Sequence, residues 1–405
     1  MVGVARFGDG LAVDTDLARA AERAVEQAVA PLGGAPDLVC VFASPGVAAA
    51  GGPPSETARA LEAAGRRVAR LCSGAAVVGC SAPAVIGDGR CAQGTPAVSV
   101  WAAVLPGVTL RSYHLEVIRL PEGMAVIGMP ERMATDEVSL LFADPYSFPA
   151  DGFVEQANDA LRGLPIVGGL ATGPHGPGST RLFLDDRVVD RGAVGVVLGG
   201  GTSTWPMVSQ GCRPVGPTMV VTRSDGNTIL ELAGTPALTK LQEIVDGLDP
   251  ADQALVTDGL HFGIVMDEYA ETHERGDFLV RGVVGADRDR DAIVVGDVVE
   301  VGRTVRFQVR DAATADDDLH ETVARRRAEG LGPVQAALLF PCDGRGELFG
   351  DPSHDVVAVR RLLGTSCVGG FTAAGEFGPV AGRNHVHGFS ASILAFCSAP
   401  SGRTG

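Results

Sequence analysis

The chain has 405 residues, 45% of them hydrophobic and 20% charged, a balance that supports two or three domains with sizeable cores. Its formal charge of -16 disfavours nucleic acid and anionic lipid as partners, because both are bound through clustered Lys and Arg. Apolar runs such as Leu38 to Ala43 fall far short of the roughly 20 residues that cross a bilayer, and the N-terminus lacks the basic start and apolar core of a signal peptide, so a cytoplasmic location with no membrane partner is expected.

In chain order, the first element is a helix over Leu17 to Val29. Thr15 and Asp16 can accept its unpaired first-turn N–H groups, and Leu17, Ala20, Ala21, Ala24, Val25 and Ala28 form one small apolar face. A buried strand, Asp37 to Ala43, leads to a helix near Ser55 to Leu71, a glycine-containing turn at Val78-Gly-Cys-Ser81 and a return strand over Ala97 to Val104. The plan recurs twice. The second copy opens at Glu137 to Ala143, has a helix near Phe153 to Leu161, turns at Val167-Gly-Gly169 and closes with Gly192 to Leu198. The third opens at Val334 to Phe340, has a helix near His354 to Leu363, turns at Val368-Gly-Gly370 and closes with Gly388 to Phe396. It is preceded, like the first, by a helix with an acidic start, here over Leu319 to Glu329. Between the second and third copies the pattern changes to alternating extended runs with a hairpin signal at Ser224-Asp-Gly226, and Leu260 to Met266 reads as the opening strand of a fourth, worn copy.

The expected fold is therefore α+β: mixed sheets with outer helices, built from duplicated strand-helix-hairpin units and arranged as two pseudo-symmetric domains. Their expected bounds are 1–200 and 201–398, with a flexible tail at 399–405. Eight cysteines (Cys40, Cys72, Cys80, Cys91, Cys212, Cys342, Cys367 and Cys397) show neither a Cys-x-x-Cys pair nor regular spacing, so reduced thiols are expected.

Several motifs, in their order and spacing, resemble those of FIST proteins with FIST N-terminal and C-terminal parts. They are Val78-Gly-Cys-Ser81, Gln210-Gly-Cys-Arg-Pro-Val-Gly216, Gly234-Thr-Pro-Ala-Leu238 and Phe340-Pro-Cys-Asp-Gly-Arg-Gly346. Gly369-Gly-Phe-Thr-Ala-Ala-Gly-Glu-Phe-Gly-Pro379 and His387-Gly-Phe-Ser-Ala391 complete the set. The resemblance implies a sensory module of signal transduction that binds small ligands such as amino acids, with haem-linked gas sensing in some members. The first repeat begins almost at once, with no F-box before it, and the length leaves no room for a fused output domain. A stand-alone bacterial protein that signals to a separate partner is the expectation.

The strongest candidate chemistry lies in the loops Cys342-Asp-Gly-Arg-Gly346 and Gly375-Glu-Phe-Gly378, each just after an expected strand. Arg345 and Glu376 could clamp a zwitterion, guanidinium on carboxylate and carboxylate on ammonium, or could pair and brace two turns. The residues expected to line the site are Cys342, Gly344, Arg345, Gly346, Gly370, Thr372, Gly375, Glu376 and His387, with Cys80 and Ser81 of the first copy. Cys342, Cys80 and Cys367 could be reactive thiols or small buried hydrophobes, which leaves a cysteine-dependent enzyme as one alternative. His385 and His387 alternate along an extended run, but no third ligand at recognised spacing supports a metal site. No cofactor is expected, with haem on His261, His273 or His387 as the other alternative. Gly-x-Ser-x-Gly, His-Glu-x-x-His and a phosphate-binding Gly-Lys-Ser/Thr are all missing.

Overall fold

The computed structural model describes residues 4–397 except Glu122, Thr202 and Glu274, and the expected tail lies outside them. The fold is α+β, in two compact units: Met1–Val208, His320–Val386 and Ala391–Gly405 form one, and Ser209–Leu319 with His387–Ser390 the other.

In the first unit each repeat contributes an outer strand, an opening strand, a glycine strand, a two-stranded hairpin and a closing strand. For the first repeat these are Arg6–Val13, Leu38–Pro45, Ala76–Ser81, Ala84–Gly87 with Arg90–Gln93, and Pro96–Val104. For the second they are Thr109–Leu120, Asp136–Ala143, Ile166–Leu170, Leu182–Leu184 with Arg187–Val189, and Ala193–Gly199. For the third they are Thr204–Gln210, Val334–Pro341, Cys367–Phe371, Glu376–Val380 with Arg383–His387, and Ser390–Cys397. Opening and glycine strands pair in parallel, and the closing strand runs antiparallel on the other side of the opening strand.

No hairpin stays with its own sheet. The second repeat's hairpin adds to the first repeat's glycine strand, the third's to the second's, and the first's to the third's, so the exchange closes in a ring of three.

Continuous apolar opening strands follow from burial on both faces. In the first repeat Val39, Val41 and Ala43 pack against the helices Leu17–Val29 and Pro54–Leu71, while Leu38, Cys40 and Phe42 face a core shared by all three repeats. Asp16 caps the first of these helices by accepting from Ala18 N at 3.0 Å and Arg19 N at 3.3 Å. At the same position in each opening strand stand Phe42, Phe142 and Phe340. Their rings meet in the shared core with centroids 5.4 Å (Phe42–Phe142), 6.0 Å (Phe42–Phe340) and 5.6 Å (Phe142–Phe340) apart. Phe371 lies 5.0 to 5.7 Å from all three.

The glycine motifs expected as turns lie instead inside strands. Gly79, Gly168 and Gly370 stand in register with Val41, Leu141 and Leu339. A Cβ on them would sit 1.8, 2.0 and 1.8 Å from those residues' carbonyl oxygens, so the missing side chain is what permits the pairing.

The second unit is inserted within the third repeat, after its outer strand. Six strands, Cys212–Asp225, Thr228–Leu232, Leu260–Val265, Phe278–Asp287, Ala292–Val295 and Thr304–Arg310, pair antiparallel and close on one another around Phe262 and Phe307. The stretch read as a fourth copy belongs to this barrel, because Leu260–Val265 is followed by an antiparallel neighbour rather than by a crossover helix.

Phe142→Ala should cost about 3–5 kcal/mol, as for other large aromatics removed from a packed core. A denaturant midpoint equal to that of the unmutated chain would show that the three rings do not hold the repeats together.

Candidate functional site

The guanidinium of the third repeat's loop is buried and paired within the chain. Cys342 follows the opening strand and bridges to Ala373, and Gly344 leads into the short helix Arg345–Phe349. Arg345 is 1% exposed and forks onto Asp355, with Nε donating to Oδ2 and Nη2 to Oδ1 at 2.8 Å each, while its carbon centre lies 5.2 Å from the Phe349 ring. Burial by itself would raise the Asp355 carboxyl, but the Arg345 guanidinium outweighs it and holds the group well below the usual carboxylate range. Burial works against the Arg345 charge as well; Asp355, with smaller contributions from Cys342 and Glu376, keeps its pKa raised. Nε and Nη2 thus form an internal brace, because a buried guanidinium requires a carboxylate at hand, while Nη1 makes no hydrogen bond among the described residues.

The other expected residues surround this brace or serve the seams. Glu376 is fully buried in the exchanged hairpin, in register with Gly169. A Cβ at Gly375 would press on Leu170, and one at Gly346 on Pro352 and Gln93. Thr372 N donates to Ala84 O at 3.1 Å, and Gly370 supports strand pairing as described. His387 belongs to the second unit.

Cys80 is fully buried and its thiol is pushed far up by that burial. Burial also pushes Cys72 up to about 11 and Cys91 up to about 12, and raises Cys40, Cys367 and Cys397. A nucleophilic thiolate needs the opposite shift.

Among the described residues no group of three or more His, Cys, Asp or Glu could hold a metal ion. His261 and His387 are buried, and His273 rests against Phe278. Burial pushes the His261 ring down to about 4; Gly259 O holds its Nδ1 at 3.1 Å, and Phe389 stands edge-on at 4.1 Å. None of the three lines the cavities of about 490 Å³ and 240 Å³ in the first unit.

Ser81 stands at the seam where the first and second repeats meet. Its Oγ donates to Thr172 O at 2.8 Å and accepts from Arg181 N at 2.9 Å, and its N donates to Arg181 O at 2.8 Å. One buried serine therefore pins both ends of the loop 172–181, and a cavity opens on either side of that loop.

The larger cavity, about 490 Å³, is lined by Glu62, His114, Glu116, Arg181, Asp190 and Arg191, with valines between them. Glu62 comes from the helix Pro54–Leu71, and His114 and Glu116 from one face of the second repeat's outer strand. Arg181, Asp190 and Arg191 flank the exchanged hairpin. The Arg181 side chain is 12% exposed; its Nε donates to Glu62 Oε1 at 3.2 Å and its Nη1 to Gly178 O and Thr180 O. Nη2 makes no hydrogen bond among the described residues. Glu116 is open to solvent with His114 Nδ1 at 3.4 Å, while His114 Nε2 lies 3.3 Å from Arg191 O. A guanidinium with an uncommitted donor thus shares the cleft with the exposed carboxylates of Glu116 and Asp190, the latter accepting from Arg191 Nε at 3.3 Å. Sequence reasoning missed these residues, which are scattered over a helix, a strand and two loops and carry no motif.

Residues 37–235 match the FIST N domain, and residues 237–379 match the FIST C domain. An uncharacterized protein of Mycobacterium tuberculosis (strain CDC 1551 / Oshkosh) is 43% identical over 393 residues, which are 96% of this chain and 99% of that protein. An uncharacterized protein of Mycobacterium bovis (strain ATCC BAA-935 / AF2122/97) is 42% identical over 96% of this chain and 98% of its own length.

The Asp355 contribution is complete above the unfolded carboxyl range, near pH 4, and is lost as pH falls through the depressed native value. Asp355→Asn should cost about 3–5 kcal/mol at pH 7, with the deficit shrinking as the pH drops below about 4. Urea titrations at a series of pH values check both; a deficit that does not vary with pH would remove the ion pair from its role.

Proposed function

The chain belongs to the FIST family, and we propose that it senses an amino acid or a related zwitterion in the cleft of about 490 Å³. FIST domains are sensory, signal-transduction domains taken to bind small ligands. The observation that carries the choice of ligand is the pairing of unlike charges across one cavity. A ligand carboxylate would take the free Nη2 of Arg181, and an ammonium would take Glu116 and Asp190. Such charge-assisted hydrogen bonds are about twice as strong as neutral ones.

We place the protein in the cytoplasm, with its response passed to a separate signalling protein. No helix among the described residues is long and apolar enough to cross a membrane. The enzyme and haem alternatives have no comparable support: burial raises the thiols of Cys72, Cys80 and Cys91, and His261, His273 and His387 line neither of the cavities of about 490 Å³ and 240 Å³.

Thermal melting of the full chain with individual amino acids tests the reading. At saturation at least one should raise the midpoint by about 2–4 °C or more. The corresponding amine without its carboxylate should have no effect. Arg181→Gln should abolish the shift, and Glu116→Gln, at an exposed position, should weaken binding by about tenfold. Shifts that survive Arg181→Gln, or no shift with any amino acid, would exclude the cleft.

A further inference from the structure

On the other side of the loop 172–181 lies a second cavity, of about 240 Å³, at the carboxyl ends of the first repeat's opening and glycine strands. The carboxyl ends of parallel strands are where open α/β sheets place their ligands. The internal repeat shows how this end differs from its counterparts. Ala82 N, Ala171 N and Ala373 N donate at equivalent positions to Ala43 O, Ala143 O and Pro341 O, at 3.0, 2.8 and 2.8 Å. Counting on from Phe42, Phe142 and Phe340, the residues that leave the three opening strands are Ser44, Asp144 and Cys342. After Cys342 the chain forms the helix whose Arg345 turns inward to Asp355. After Ser44 it runs instead into the 3-10 turn Val47–Gly51, and a cavity remains.

The lining is chemically distinct from that of the charged cleft. Pro45, Val47, Ala82, Pro83 and Pro174 supply apolar surface, and no ionisable side chain contributes. Ser44 is committed to the loop, with Oγ donating to Pro83 O at 2.9 Å and accepting from Gly46 N at 3.3 Å. The Thr172 hydroxyl makes no hydrogen bond among the described residues, while its backbone is held by Ser81. We propose that this crevice is a second binding site, for a small uncharged molecule with an apolar body and a single polar group directed at Thr172 Oγ1. An apolar cavity of about 150 Å³ already accepts benzene, so this one has room for a ring and a short polar arm. A charged ligand would give up hydration with no counter-charge to replace it.

The test uses the full chain with 2-phenylethanol, and with phenylacetate and 2-phenylethylammonium as charged counterparts of similar size. Saturation-transfer NMR and calorimetry should show 2-phenylethanol bound with a dissociation constant of about 1 mM or lower. The two ions should bind at least about tenfold more weakly. Val47 is 74% exposed, so Val47→Trp can close the mouth without disturbing the core and should abolish binding. Thr172→Val should weaken it by about fivefold, the worth of one hydrogen bond. Amino acids that bind the zwitterion cleft should not compete with 2-phenylethanol, which separates the fate of this site from that of the cleft. Absence of binding at about 10 mM, equal binding of the ions, or a signal that persists undiminished in Val47→Trp would overturn the proposal.

Discussion

Carbonyl oxygens of Val41, Leu141 and Leu339 occupy the space where a side chain on the adjoining strand would begin, and only glycine at 79, 168 and 370 lets that strand lie against them. Close approach at these points sets the register of the parallel pair in each repeat. With the register set, Phe42, Phe142 and Phe340 fall at one level and meet in a shared core. Each glycine strand then has a free edge, and an unpaired edge is costly when buried, so it is filled by the hairpin of the next repeat. Three repeats are needed because each sheet is completed by a strand pair it does not own.

The two cavities beside the loop 172–181 depend on that exchange. The hairpin that crosses from the second repeat to the first is entered through the loop 172–181, and Ser81 holds the two ends of the loop. Arg181 is thereby brought to Glu62, and Thr172 to the strand ends of the first repeat. Seams between repeats are where backbone groups of different chain segments must satisfy one another, and loops at such seams leave concave space that strand interiors cannot.

Two arginines with the same chemistry differ in their burial. Arg345 is enclosed and must spend its fork on Asp355, a pair whose loss would leave a stranded charge. Arg181 lies at a cavity wall, where one carboxylate and two carbonyls hold it in place and one nitrogen remains available. The glycine at 346 lies close to Pro352 and Gln93.

Much of the local structure was legible in the chain. Leu38 to Ala43 reads as a strand buried on both faces, Asp16 marks a helix start, and the helix over His354 to Leu363 has the bounds its pattern indicates. These features follow from near-neighbour physics: side-chain periodicity, capping and burial. The glycine pairs were legible as special positions but not as strand residues, because the atom each one avoids belongs to a strand some 30 residues away. Asp355 was not legible as the partner of Arg345, nor Arg181 as a neighbour of Glu62, Glu116 and Asp190. The threefold repeat of strands and helices was readable from the chain alone. Only the tertiary structure decided which sheet receives each hairpin, and with it where the cavities open, because that choice rests on contacts between segments far apart along the chain.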